Sequence, residues 1–181
     1  MNKTALIIID VQNDYFPQAK MALYQAELAL KQINLLEDAF LKNKQPIIYI
    51  QHIFNQPNAP FFEAGTFGVE LHSGLQLTAD SIVVEKHYPN SFFETNLKTV
   101  LNQLGVEKLV ISGMMTHMCV DATSRAAAEF GYDPVVIADA TATRDLSYAN
   151  KTVQAEDVQT ACLAAFQMFS TVVSVDEYLN S

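Results

Sequence analysis

The stretch TALIIID, Thr4 to Asp10, runs through five consecutive apolar residues, Ala5 to Ile9, and closes on a carboxylate. A strand with one wet face alternates apolar and polar residues, whereas an unbroken aliphatic run suits a strand covered on both faces, as in a parallel sheet. Similar runs return as PIIYI (Pro46 to Ile50), SIVVE (Ser81 to Glu85), KLVIS (Lys108 to Ser112), PVVIA (Pro134 to Ala138) and TVVSV (Thr171 to Val175). Between the first two, Ala22, Ala26, Ala29, Ile33, Leu36 and Phe40 recur at helical spacing, which predicts an amphipathic helix packed on the sheet. FFETNLKTVLNQLG and THMCVDATSRAAAEFG read as further helices, ended by Gly105 and Gly131. Strands alternating with helices imply right-handed crossovers, hence a three-layer α/β/α sandwich on a mainly parallel six-stranded sheet.

At 181 residues, 50% hydrophobic and 17% charged, the chain suits one core and a single domain over 1–181. A net charge of −9 opposes the phosphate neutralisation on which nucleic-acid binding depends, and no basic cluster offsets it, so nucleic acid and anionic membranes are not expected partners. The apolar run cut off at Asp10 is too short for a signal-peptide core or a membrane span, which predicts a cytoplasmic protein. Cys119 and Cys162, far apart in a domain of this size, read as free thiols. His52 to Asp80 fits neither period and reads as a long loop with room for a short helical turn; Phe61, Phe62 and Phe67 on it are candidates for a site wall or a subunit contact.

Ligands of parallel α/β sheets bind beyond the carboxyl ends of the strands. Asp10 ends the first strand, Lys86 follows the third, and Cys119 lies early in the helix after the fourth. Singly these are a turn residue, a surface charge and a small buried side chain. Together they could supply a base, a positive charge and a nucleophile, and a helix N-terminus would bias the thiol toward thiolate. Cys162, in the helical series Ala155, Val158, Cys162, Ala165, Phe169, reads as core.

LIIIDVQNDY, EKHYPNSFFETNL and ISGMMTHMCVDATSRAAAEFGY together resemble the signature segments of the isochorismatase-like cysteine hydrolase superfamily, which includes nicotinamidases, N-carbamoylsarcosine amidases and isochorismatases. The resemblance implies a catalytic triad of Asp10, Lys86 and Cys119, with a thioester intermediate in hydrolysis of a small amide, lactam or ureido compound. It further implies a cis peptide between Met114 and Met115, aiming the Met115 N–H beside that of Cys119 as an oxyanion hole. Gln12, Phe16, His52 and Met114 become substrate-binding candidates. The Asp-x-His metal pair of nicotinamidases falls on His52 and Phe54, so neither metal nor other cofactor is expected. Isochorismatase-type vinyl-ether hydrolysis, with Asp10 as acid and Cys119 dispensable, is one alternative; a noncatalytic small-molecule-binding member is another. By the same analogy the partner is a small-molecule substrate and the assembly a homo-oligomer, dimer or tetramer.

Overall fold

The structure is a computed structural model that describes residues 3–181. Six strands form a wholly parallel sheet in the order β3-β2-β1-β4-β5-β8: β1 (Lys3–Ile9), β2 (Ile47–His52), β3 (Ile82–Lys86), β4 (Val106–Met114), β5 (Asp133–Ala142) and β8 (Thr171–Val173). The aliphatic run of β1 sits centrally, and Ala5 to Ile9 are all fully buried, even residues against one layer and odd against the other. Burial of an Ile or Leu side chain of this kind contributes about 1.5–3 kcal/mol, which is why the sheet centre needs no alternation.

Helix α1 (Ala26–Lys42) covers one face with Ala29, Ile33, Leu36 and Phe40, joined by the short C-terminal α5 (Val175–Leu179). The other face carries α2 (Leu97–Leu104), α3 (Asp121–Glu129) and α4 (Ala155–Phe166), through Leu97, Leu101, Ala126, Ala127 and Phe166. The three layers and the six sheet strands are those expected from the sequence. Gly105 and Gly131, both left-handed, lie where the second and third helices end.

Several local expectations are corrected. Ala22 is exposed and outside α1, because the chain first makes an irregular turn in which Tyr24 N–H bonds Thr143 O. Val175 opens a helix instead of ending a strand, since Ser174 and Glu177 form a capping box that outweighs the β-branched run before it. Ala165 is exposed and Phe166 takes its place in the α4 stripe, leaving Cys162 only half-buried. A hairpin of β6 (Leu146–Tyr148) and β7 (Lys151–Val153), exposed and with little apolar patterning, was not expected. No helix among the described residues is long and apolar enough to cross a membrane.

Candidate active site

Because β1 lies inside the sheet with β2 on one side and β4 on the other, the chain reverses its direction of winding there, and a crevice opens beyond the strand ends. Four adjacent strands deliver side chains to it. Asp10 follows β1 with φ 51, a left-handed turn that Asp tolerates better than most residues. His52 ends β2 and Lys86 ends β3, paired with each other in register. Beyond β4, the Met114–Met115 peptide is cis, and a π-helical turn, Thr116–Val120, carries Cys119 into the start of α3.

Asp10 and Lys86 have no exposed surface, and Cys119 and His52 are 3% exposed. Lys86 Nζ lies 2.9 Å from Asp10 Oδ2 and donates to the Tyr88 and Pro89 carbonyls at 3.2 and 3.0 Å. The loop holding those carbonyls is tied to α3 through Ser91 and Thr123, whose hydroxyls are 2.8 Å apart. His52 Nδ1 stands amid the cluster, 3.6 Å from Asp10 Oδ2, 3.5 Å from Lys86 Nζ and 3.8 Å from Cys119 Sγ.

Burial alone would raise the Asp10 carboxyl, but the Lys86 ammonium, and then His52, hold it below its ordinary value. Burial would lower Lys86, and the Asp10 carboxylate beside it keeps it above its ordinary value. Cys119 is pushed far up, first by burial and then by Asp10, with Lys86 offsetting only part. The resting site is therefore a carboxylate–ammonium pair beside a neutral thiol. This corrects the thiolate expected from a helix N-terminus: the sulfur is desolvated and faces an anion at close range, effects larger than the partial charge of a helix end.

Cys119 and His52 line a cleft of about 470 Å³ whose walls include Tyr15, Phe54, Phe61, His87, Tyr88 and Met118, while Asp10 and Lys86 are buried behind them and do not line it. A slightly larger cavity of about 510 Å³ between α1 and α4 holds none of the four clustered groups. Of the residues expected to bind substrate, His52 lines the cleft, while three do not. Gln12 is buried and spent on backbone: its amide nitrogen donates to His52 O and Val69 O at 2.8 and 2.7 Å, and its oxygen accepts from His52 N–H at 2.8 Å. Phe16 turns away to stack on His72 with ring centroids 3.8 Å apart. Met114 is fully buried in the core, since alternation along β4 sends its side chain under the sheet edge, and Met115 reaches the cleft instead. Tyr15 was missed, although it lies five residues after Asp10, where a short 3-10 turn returns the chain to the crevice. Of the loop aromatics Phe61 lines the cleft, Phe62 is wholly buried and Phe67 is 75% exposed.

Asp10, His52 and Cys119 are also close enough, within 4.8 Å, to suggest a metal centre. The donor set does not fit one, because the Lys86 ammonium contacts both Asp10 and His52 and occupies the place of the cation.

The isochorismatase domain family matches residues 4–177. The uncharacterised isochorismatase-family protein YddQ of Bacillus subtilis is 44% identical over 178 residues, spanning 98% of this chain and 99% of that protein. A secreted isochorismatase effector of Verticillium dahliae is 33% identical over 171 residues, 94% of this chain and 87% of its own length. A crystal structure from Oleispira antarctica, described as an isochorismatase hydrolase, superposes with a TM-score of 0.94 at 41% identity, covering 99% of this chain and 97% of the other. More distant relatives include nicotinamidase 3 of Arabidopsis thaliana, 28% identical over 77% of this chain and 73% of the enzyme, and the streptothricin hydrolase of Streptomyces noursei, 31% identical over 80% of this chain and 51% of that protein.

Proposed function

The chain belongs to the isochorismatase family of hydrolases, and from that premise we propose that it cleaves a carbon–nitrogen bond of a small amide, lactam or ureido compound through a Cys119 thioester. The observation that carries this reading is the convergence of Asp10, Lys86 and Cys119 in one buried cluster, of which Cys119 lines a cleft sized for a small molecule. Because the resting thiol is neutral, attack and proton loss are coupled: as Sγ closes on the carbonyl carbon, its proton passes to the Asp10 carboxylate, while Lys86 stays an ammonium and keeps the site electrically balanced.

The oxyanion that forms accepts hydrogen bonds from the backbone N–H groups of Met115 and Cys119, each worth about 3 kcal/mol in such a preorganised hole. Asp10 then protonates the leaving nitrogen and, in the second half, takes a proton from the water that attacks the thioester. Relatives named for nicotinamide and streptothricin hydrolysis favour an amide-type bond.

A vinyl-ether substrate is the second reading, favoured by the isochorismatase name of the Verticillium relative. There Asp10 would act as an acid, a role that its lowered proton affinity disfavours. The test is a panel of primary amides, lactams, ureides and isochorismate, assayed with the native protein and Cys119→Ala. Turnover of a C–N substrate that Cys119→Ala abolishes supports the first reading. Isochorismate turnover that survives Cys119→Ala overturns it.

A further inference from the structure

We infer that Tyr15 determines which compounds the cleft accepts: its hydroxyl hydrogen-bonds a neutral polar atom that an uncharged substrate carries apart from the bond to be cut. The inference rests on the cleft being the substrate site of the hydrolysis proposed above, and it narrows that substrate to uncharged amides with a second polar group.

Tyr15 is 1% exposed, and that remnant faces the cleft. Its backbone is pinned from two sides, the N–H donating to Gln12 O and the carbonyl accepting from Leu23 N–H, both at 3.0 Å. The ring is wedged against Phe62 and Phe61, with centroids 4.5 and 5.8 Å away. A ring fixed in this way cannot swing its hydroxyl to another partner, and among the described residues the hydroxyl has none. His52 Nε2 also lacks a partner but is fully buried, whereas the Tyr15 hydroxyl opens on the space a ligand fills. Burial first, then the nearby Cys119 and Asp10, raise the phenol well above its ordinary 10.0, so it stays an O–H group able to donate or accept.

In the open cleft, solvent serves that hydroxyl. A ligand that displaces the solvent must either return a hydrogen bond or leave a buried polar group unpaired, and this asymmetry makes the group discriminate. Charge narrows the choice further, because no lysine, arginine, aspartate or glutamate lines the cleft. Lys86 lies behind it, committed to Asp10 and two backbone carbonyls, and Lys20 and Arg144 line a separate hollow. His87 on the rim is exposed to solvent, which screens whatever charge it carries. A substrate carboxylate would therefore lose its hydration against Ile53, Phe54 and Phe61 with no cation to meet it, a cost larger than a neutral hydrogen bond returns.

The test measures binding to Cys119→Ala, which can hold an amide without cleaving it, and to the double variant Cys119→Ala/Tyr15→Phe. The probes are benzamide, its meta- and para-hydroxy derivatives, terephthalamide, and the compound in which a carboxylate replaces one amide of terephthalamide. Ligand-observed NMR titration at neutral pH reads each affinity. With Tyr15 present, at least one hydroxy derivative should bind about two- to tenfold more tightly than benzamide, and Tyr15→Phe should erase that preference while leaving benzamide itself little changed. A loss of packing would weaken all the probes alike. Terephthalamide should bind at least about tenfold more tightly than its carboxylate, with or without the hydroxyl. A hydroxyl preference that survives Tyr15→Phe, affinities that show no such preference with Tyr15 present, or a carboxylate bound as well as the diamide overturns the inference. No bond is cut in this measurement, so its failure is separable from that of the thioester reading, which turnover by the native protein and its loss in Cys119→Ala decide.

Discussion

Lys86 has no exposed surface, and its ammonium is held by Asp10 and two backbone carbonyls, so its replacement strands a carboxylate in the interior. Removing one partner of such a buried pair costs about 3–5 kcal/mol, whereas removing both often costs little. Lys86→Met should therefore lose about that much stability in urea unfolding, and the double variant Asp10→Asn/Lys86→Met should regain a good part of it. Both should lose turnover by orders of magnitude, because one has no charge balance and the other no base. If the double variant is as unstable as Lys86→Met, the stranded charge is not the cause. At this scale the sequence marked Asp10, Lys86 and Cys119, because each follows an aliphatic run that locates a strand end. Gln12, Phe16 and Met114 were misread for a common reason: nearness in sequence to a strand end does not say which way a side chain turns once the backbone kinks, and near Asp10 and Met115 it kinks twice. The central place of His52 follows from the pairing of β2 with β3, a tertiary fact with no local signature.

The elements follow more directly from the sequence than their ends do. Six aliphatic runs became the six sheet strands because a strand buried on both faces has one reading, while the β6-β7 hairpin stayed hidden because an exposed ribbon need not be apolar. One glycine shows how closely the elements are fitted. Gly113 on β4 pairs with Ile9 on β1 at φ +115, and a Cβ there would lie 2.1 Å from Ile9 O and 2.5 Å from Ile9 N, both backbone atoms that cannot turn aside. Gly113→Ala must push β1 from β4 at the point where Asp10 and Met115 leave the sheet. We expect a loss of more than about 2 kcal/mol together with impaired turnover. Gly105 is the control: at φ +65 nothing among the described residues lies within 4 Å of an added Cβ, so Gly105→Ala should cost only about 1–2 kcal/mol from its left-handed conformation and spare activity. Equal effects of the two substitutions would remove the strand-contact explanation.

Across the whole molecule, charge acts at two depths with opposite responses to pH. The surface carries most of the net −9, and its self-repulsion eases as pH falls toward the sequence pI of about 4.7. Glu37 works in the same direction: burial raises its carboxyl above the ordinary 4.5 despite hydrogen bonds from Tyr49 and Gln76, so its contribution is complete below 4.5 and is lost as pH rises through the folded value. The Asp10–Lys86 pair works the other way on the acid side. Asp10 is held below its ordinary 3.8, so the unfolded chain takes up the proton first; the contribution is complete above 3.8 and disappears as pH falls through the lower folded value. Lys86, held above 10.5, contributes fully below 10.5 and fails only as pH climbs through its raised value. Calorimetric midpoints should therefore rise gently from pH 8 to about 5 and drop steeply below 4. Added salt should raise the midpoint at pH 8, where surface repulsion is screened, while leaving the buried pair untouched. Asp10→Asn separates the two depths: it starts less stable at neutral pH because Lys86 is unpaired, yet has no carboxylate to protonate, so its acid limb should be shallower than that of the native protein. Parallel acid limbs in the two proteins would show that acid unfolding belongs to the surface charges alone.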